Sequence, residues 1–269
     1  MNSFRQLIKS AGSQPPVGTW LLSASPLVAE ALGHAGFDWG VVDMEHSPLD
    51  LAGAVQMLQA LGNTRMVPVL RVPSNDAVVV KRVLDAGATT LMFPNVQSAD
   101  EAARAVAATR YPPEGVRGMV GVSRATRYGT ATDYLKTGAR EIGVIVQLES
   151  VAAIDALDAI AAVPGVDALF IGPADLSADM GLPGQTMHPQ VIERMTHVVR
   201  RCAQLGMAVG TIGNNAQQVA RYRACGFGYM ALGADLGLLV GAAQAALHAL
   251  RRQPGDAEVH TLAGGTVTE

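Results

Sequence analysis

Eight short runs rich in Val, Ile and Leu alternate with amphipathic segments along almost the whole chain, and this alternation constrains the fold more than any single motif. The runs lie near residues 16–21, 39–44, 66–71, 89–94, 143–149, 167–172, 207–212 and 228–232. They are continuously apolar, as parallel strands covered on both faces must be. Helical periodicity fills the gaps, for example from Ala77 to Leu84 and from Ile154 to Ala162. Eight strands with intervening helices predict an α/β fold, a (β/α)8 barrel, in which one domain holds about 250 residues. A single barrel is expected over residues 1–252 of the 269. The tail 253–269 is polar, rich in Gly and Thr, and without periodicity, so it is expected to be disordered.

A weak internal echo supports this class. Glycine precedes four of the runs, in Ala35-Gly36-Phe37-Asp38, Ala86-Gly87-Ala88, Pro164-Gly165-Val166-Asp167 and Cys225-Gly226-Phe227. It is the expected residue just past a helix. Hydrophobic residues make up 49 % of the chain and aromatics only 4 %, so Ala, Val, Leu, Ile and Met are expected to build the core. A formal charge of −3 and the lack of a basic run argue against nucleic acid and against an anionic membrane as partners.

Met1 to Ser13 has no apolar core of a signal peptide. Cys202 and Cys225 fit neither a zinc nor a redox spacing and read as thiols in a reducing compartment. The chain thus reads as soluble and cytoplasmic. The most apolar stretch, Leu236 to Leu250, contains Gln244 and His248 and is too short to span a bilayer. Apolar on more than one face, it is expected to pack against a neighbouring subunit. Tyr111 to Arg140 breaks the rhythm with Pro112-Pro113, Gly115, Gly118, Gly121 and the four arginines Arg117, Arg124, Arg127 and Arg140, and is expected to form an inserted loop and short helix over the barrel mouth.

In such a barrel the active site lies at the C-terminal strand ends. Asp43, Glu45, His46, Arg71, Gln147, Glu149 and Asp175 all fall there. Glu149 and Asp175, on successive strands, are the candidate ligands of a hard divalent cation, which takes oxygen donors and often only one or two protein carboxylates. Each has a plainer reading as a helix or loop cap. Asp43 and His46 suggest a dyad in which the carboxylate fixes the imidazole for proton transfer, although a lone histidine is as often structural. Arg71 offers a planar fork to a carboxylate or a developing oxyanion, or else an ion pair with Asp43 or Glu45. Gly172-Pro173-Ala174-Asp175 can bring backbone N–H groups close to an anion, and is also a plain turn signal.

The remaining histidines fall in helices, loops or the tail, which argues against zinc. The three lysines, Lys9, Lys81 and Lys136, lie away from strand ends, so no Schiff-base lysine is expected and carbanion chemistry here would need a metal. No nucleotide fingerprint is present, so no nucleotide cofactor is expected.

From Gly18 to about residue 250 the chain resembles the HpcH/HpaI aldolases, metal-dependent class II pyruvate aldolases such as 4-hydroxy-2-oxoheptanedioate and 2-dehydro-3-deoxyglucarate aldolases. The resemblance rests on Ala35-Gly36-Phe37-Asp38-Trp39 leading into Asp43-Met44-Glu45-His46, on Arg71, and on Arg110-Tyr111-Pro112-Pro113-Glu114-Gly115-Val116-Arg117-Gly118. Gln147-Leu148-Glu149 and Phe170-Ile171-Gly172-Pro173-Ala174-Asp175-Leu176-Ser177 complete it. It implies a TIM barrel of the phosphoenolpyruvate/pyruvate type and a homohexamer built as a trimer of dimers, with the C-terminal helix exchanged between partners. It further implies Mg²⁺, Mn²⁺ or Co²⁺ on Glu149 and Asp175, and reversible cleavage of a 4-hydroxy-2-oxo acid to pyruvate and an aldehyde. His46 with Asp43 would move the proton, Arg71 would stabilise the pyruvate oxygen, and Gly172 to Asp175 would seat its carboxylate.

Met44 replaces a glycine frequent in that family and is expected to reshape the rim near His46. Aldehyde contacts are expected at Ile212 and in the 111–140 segment. The rival readings are a CoA-ester lyase of the citramalyl or malyl type and a non-catalytic keto-acid-binding barrel.

Overall fold

The computed structural model describes residues 2–12 and 14–251, so the tail expected at 253–269 lies outside the described residues. Eight strands form: β1 (Val17–Leu21), β2 (Trp39–Asp43), β3 (Val67–Arg71), β4 (Thr90–Phe93), β5 (Gly143–Leu148), β6 (Ala168–Ile171), β7 (Ala208–Gly213) and β8 (Tyr229–Ala234). Each pairs in parallel with its sequence neighbour, and β8 closes on β1 with a register shift between Gly18 and Trp20. The barrel expected from the alternation is therefore present, with every strand within two residues of its predicted place. The four recurrent glycines, Gly36, Gly87, Gly165 and Gly226, all hold left-handed backbones with φ between 98° and 103°.

The helix expected from Ile154 to Ala162 is two short helices, Val151–Asp155 and Leu157–Ala161, separated at Ala156. The chain divides into two units, Met1–Asp235, which contains all the strands, and Leu236–Glu269. The described part of the second is helical, within the helix Asp235–Arg251, and exposes Leu236, Leu239, Val240, Leu247 and Leu250. No described helix is long and apolar enough to cross a membrane.

Two apolar clusters result from the alternation of side chains across each strand. Outward residues such as Val42, Leu70, Leu91, Val144 and Leu169 pack against the helices in an aliphatic layer, as the composition suggests. The lumen departs from that expectation. Trp20, Trp39, Phe170 and Tyr229 fill it together with Phe4, which enters from the N-terminal helix Ser3–Lys9. Ring centroids of Trp39 and Tyr229 lie 5.5 Å apart, and those of Trp20 and Phe170 5.2 Å. A small aromatic content is thus concentrated where few, large side chains fill a barrel best. Space comes from glycine: a Cβ on Gly18 would stand 2.4 Å from the Trp39 ring, and one on Gly210 2.4 Å from that of Tyr229.

The segment 111–140 does not cover the mouth. It joins the helix Ala99–Thr109 to β5, and a connection from a helix to the next strand lies at the N-terminal face. There the Ala125 N–H donates to the Asp85 carbonyl at 3.2 Å and Arg124 Nη1 to the Ala86 carbonyl at 3.1 Å. Arg117, buried above the Tyr111 ring, donates to Asp85 Oδ1 at 2.8 Å. The expected short helix is present as Tyr134–Thr137.

Candidate active site

Strand parity sets the rim. Val41 on β2, Val69 on β3 and Ile145 on β5 point into the lumen, and two residues further along each strand come Asp43, Arg71 and Gln147. These three polar residues therefore stand on the inward face at the C-terminal end, and all are buried. Glu45 and Glu149 continue the same spacing into the loops. Met44, between two inward positions, points the other way and packs against the outer aliphatic layer. It does not reshape the rim near His46, because the alternation across the strand turns its side chain toward the helices.

Arg71 joins these groups. Its Nε donates to Asp43 Oδ1 at 2.9 Å and its Nη2 to Asp43 Oδ2 at 2.5 Å. Nη1 lies 2.9 Å from Glu45 Oε2 and donates to Gln147 Oε1 at 3.4 Å. Glu45 Oε2 is buried without an aligned hydrogen bond, so that short approach to Arg71 is an ion pair of poor angle. Below, the guanidinium carbon sits 5.6 Å from the centroid of Trp20. The ion pair that the sequence allowed for Arg71 is present, with both acids.

The anticipated contact between the side chains of Asp43 and His46 is not formed. Asp43 is occupied by the Arg71 fork and accepts the backbone N–H groups of Glu45 and His46, at 2.9 and 3.5 Å. A fork of two charge-assisted bonds outcompetes a single bond to an imidazole. The His46 ring is 65 % exposed, and its Nε2 lies 3.9 Å from Glu45 Oε2.

Glu149 is only 8 % exposed. Its Oε2 accepts the Asn95 N–H at 2.8 Å. On its other side Gly172 gives it room, since a Cβ there would stand 2.8 Å from Glu149 Cγ and Oε1. Burial, the largest influence, pushes the Glu149 carboxyl from its ordinary 4.5 up to about 7. The Asn95 N–H and Arg71 oppose that rise, and the charges of Asp175 and Glu45 add to it. Burial also raises the Glu45 carboxyl, against the pull of Arg71 and His46.

Neither acid is a cap. Ser150 caps the helix after β5, its hydroxyl accepting the Ala153 N–H at 3.1 Å. Asp175 lies inside the first turn of the helix Pro173–Asp179, whose N-cap is Gly172. The Leu176 N–H donates to the Gly172 carbonyl at 3.0 Å, which leaves the N–H groups of Ala174 and Asp175 without an intrahelical acceptor. Gly172 and Pro173 are buried, while Ala174 and Asp175 are exposed. Ile212, on β7, is half-buried against the lumen cluster.

Glu45, His46, Asn95, Gln97, Glu149 and Asp175 line a cavity of about 280 Å³. A roomier hollow of about 800 Å³, at Gly87, Arg124 and Tyr134, belongs to the opposite end of the barrel. Among the described residues no group of three or more His, Cys, Asp or Glu is arranged to hold a metal ion. Glu149 and Asp175, which share the wall of this cavity, are the two carboxylates that could hold a cation. A buried acid that resists ionisation beside a second acid fits a hard divalent cation whose other ligands are water or substrate oxygens.

Asn95, Gln97 and Trp20 escaped the sequence reading. Asn95 is the polar residue that follows Phe93-Pro94 at the end of β4, and a strand drawn to residue 94 stops one short of it. Trp20 was visible only as an apolar strand residue.

The sequence profile described as HpcH/HpaI aldolase/citrate lyase matches residues 17–242. A hydroxypyruvate/pyruvate aldolase of Paraburkholderia phytofirmans is 44 % identical over 259 residues, which cover 93 % of this chain and 100 % of that protein. A 2-dehydro-3,6-dideoxy-6-sulfogluconate aldolase of Pseudomonas putida is 42 % identical over 88 % of this chain and 92 % of its own. The crystal structure of an HpcH/HpaI aldolase/citrate lyase family protein from Burkholderia cenocepacia J2315 superposes with a TM-score of 0.90 at 42 % identity, covering 93 % of this chain and 100 % of that one.

Proposed function

The chain belongs to the HpcH/HpaI aldolase/citrate lyase family and is an aldolase, a carbon–carbon lyase, and from that premise we propose how its rim works. The substrate is a 4-hydroxy-2-oxo acid, cleaved reversibly to pyruvate and an aldehyde. The observation that carries this reading is the group of four acids, Glu45, Glu149, Asp175 and Asp179, that line one small cavity beside Arg71. That negative excess suits a divalent cation and a keto acid bound together, and the names of the relatives do not favour a CoA-ester lyase or a non-catalytic barrel.

Glu149 and Asp175 would hold Mg²⁺, Mn²⁺ or Co²⁺, which when bound supplies Lewis-acid polarisation of the 2-oxo group. Asp43 fixes the Arg71 fork from behind, so that the guanidinium faces the 2-oxo oxygen as negative charge gathers there. Gln147 holds the Nη1 edge of the same fork. The N–H groups of Ala174 and Asp175 seat the substrate carboxylate, with Gly172 and Pro173 forming the floor. His46 takes the proton of the C4 hydroxyl. The C3–C4 bond then breaks, its electron pair stays with the pyruvate fragment as an enolate, C4 leaves as the aldehyde carbonyl, and C3 takes a proton from water to complete pyruvate. In condensation His46 returns that proton. Ile212 borders the aldehyde side.

Two measurements test this. Mn²⁺-loaded protein should exchange the methyl protons of pyruvate in D₂O, and it should release pyruvate from free 4-hydroxy-2-oxo acids faster than from CoA thioesters. An absence of both activities removes the aldolase reading. We read the assembly as a cytoplasmic homohexamer, a trimer of dimers that exchanges the C-terminal helix. The exposed Leu239, Val240 and Leu250 support that reading, and a monomer in sedimentation experiments would end it.

A further inference from the structure

Asn95 follows β4 with a left-handed backbone, φ 49°. Glycine adopts that conformation freely, asparagine tolerates it, and a β-branched residue resists it. The turn is fastened to its surroundings. The Val96 N–H donates to the Gln147 carbonyl at 3.1 Å, and the Gln97 N–H to Glu101 Oε2 at 2.8 Å. Gln97 Nε2 donates to Asn95 Oδ1 at 2.9 Å. The outcome is a single N–H, that of Asn95, aimed at Glu149 Oε2 from 2.8 Å. Opposite it, the space over Gly172 is filled by Glu149 Cγ and Oε1. The carboxylate is therefore gripped between a backbone donor on one side and a bare glycine on the other.

We propose that the left-handed turn at Asn95 is a positioning device for Glu149: its backbone, not its side chain, orients the carboxylate that faces the cation. This rests on the reading of Glu149 as a cation ligand given above. Asn95 touches no reacting atom in this account and is a positioning residue, not a catalytic one.

The test compares Asn95→Gly, Asn95→Ala and Asn95→Val in the full chain. Mn²⁺ affinity is read by electron paramagnetic resonance, thermal unfolding is followed in parallel, and crystal structures are determined without cation. Asn95→Gly keeps the turn and should bind Mn²⁺ within about twofold of wild type. Asn95→Val should bind about tenfold more weakly, with Asn95→Ala between the two. Wild-type affinity in Asn95→Val, with or without a lower melting temperature, overturns the proposal by reducing the turn to a structural feature. Equal losses in the Gly and Val variants also overturn it, because the side chain would then carry the effect. If Asn95→Val does not fold, Asn95→Ala is judged by the same criteria.

A wild type that binds no Mn²⁺ removes the cation reading, and the cation-free crystal structures then decide the positioning claim alone. Glu149 must leave the N–H of residue 95 in Asn95→Val and keep it in Asn95→Gly. An unmoved carboxylate in Asn95→Val refutes the device.

Discussion

At the N-terminal face of the barrel Asp167 accepts Nε and Nη2 of Arg5 at 2.7 and 2.9 Å, and the Val144 N–H at 2.8 Å. Arg5 gives two further donors to the carbonyls of Arg140 and Ile142, at 2.9 and 2.8 Å. At the C-terminal rim Glu149 has one N–H, from Asn95, and feels only the charge of Arg71, whose guanidinium is paired with Asp43 and Glu45. Both ends place acids beside strand termini on the same parallel scaffold. One end satisfies its carboxylate completely. The other holds an acid that burial pushes up to about 7. A region that closes its own charges is architecture, and a region left short of positive charge is prepared for something else to supply it.

The largest effect should come from removing the unsatisfied charge. Glu149→Gln should lower kcat/KM by about a thousandfold or more, since the cation would lose its buried ligand. The same change should stabilise the cation-free protein above neutral pH. The Glu149 carboxyl binds its proton more tightly when folded, at about 7, than at its ordinary 4.5. Its contribution to stability is therefore fully present below about 4.5 and is lost as pH rises through about 7, a cost of roughly 3 kcal/mol. Melting temperatures of the cation-free wild type should fall relative to Glu149→Gln over that window. Parallel curves, or full turnover in EDTA, would erase the contrast between the two ends.

Next in size is Arg71→Lys. The charge survives but the fork does not, so Asp43, Glu45 and Gln147 no longer share one rigid partner. We expect about a hundredfold loss in kcat/KM. Unchanged kinetics would make Arg71 the same kind of group as Arg5.

How much of this the sequence discloses depends on which physical rule governs each residue. The strands and their order are legible because continuous apolar runs and post-helical glycines are local signals. Asp43, Arg71, Gln147 and Glu149 are legible because period-two alternation continues a lumen face to its end. The partner of Asp43 is not legible, since Arg71, from the adjacent strand, reaches it ahead of the nearer His46. The lumen is hidden for a related reason: composition counts Trp39 and Tyr229 but does not show that Gly18 and Gly210 make space beside them. The place of 111–140 was available from chain order, because a segment between a helix and the next strand starts from the N-terminal face.

A third test belongs to the satisfied end. Arg5→Ala leaves Asp167 with the Val144 N–H and the nearby charge of Arg110, in a site where the Arg5 and Asp167 side chains are less than a fifth exposed. That should cost about 2 kcal/mol of unfolding free energy, measured by urea denaturation, and leave kcat/KM within about twofold. A large kinetic loss would mean that the two ends are coupled and not independent.

The smallest effect concerns the boundary between lumen and outer layer. Met44 lies between Asp43 and Glu45 in sequence, yet it lines an apolar cleft with Leu51, Pro73 and Val79. If strand parity governs, Met44→Ala removes packing between helices and leaves the cavity at His46 untouched. The expected cost is about 1 kcal/mol of stability, because the side chain is only half-buried. Relative rates with small and large aldehydes should then stay within about twofold of wild type. A changed aldehyde preference would show that adjacency in sequence outweighs the facing of side chains here, and that the outer layer reaches the site.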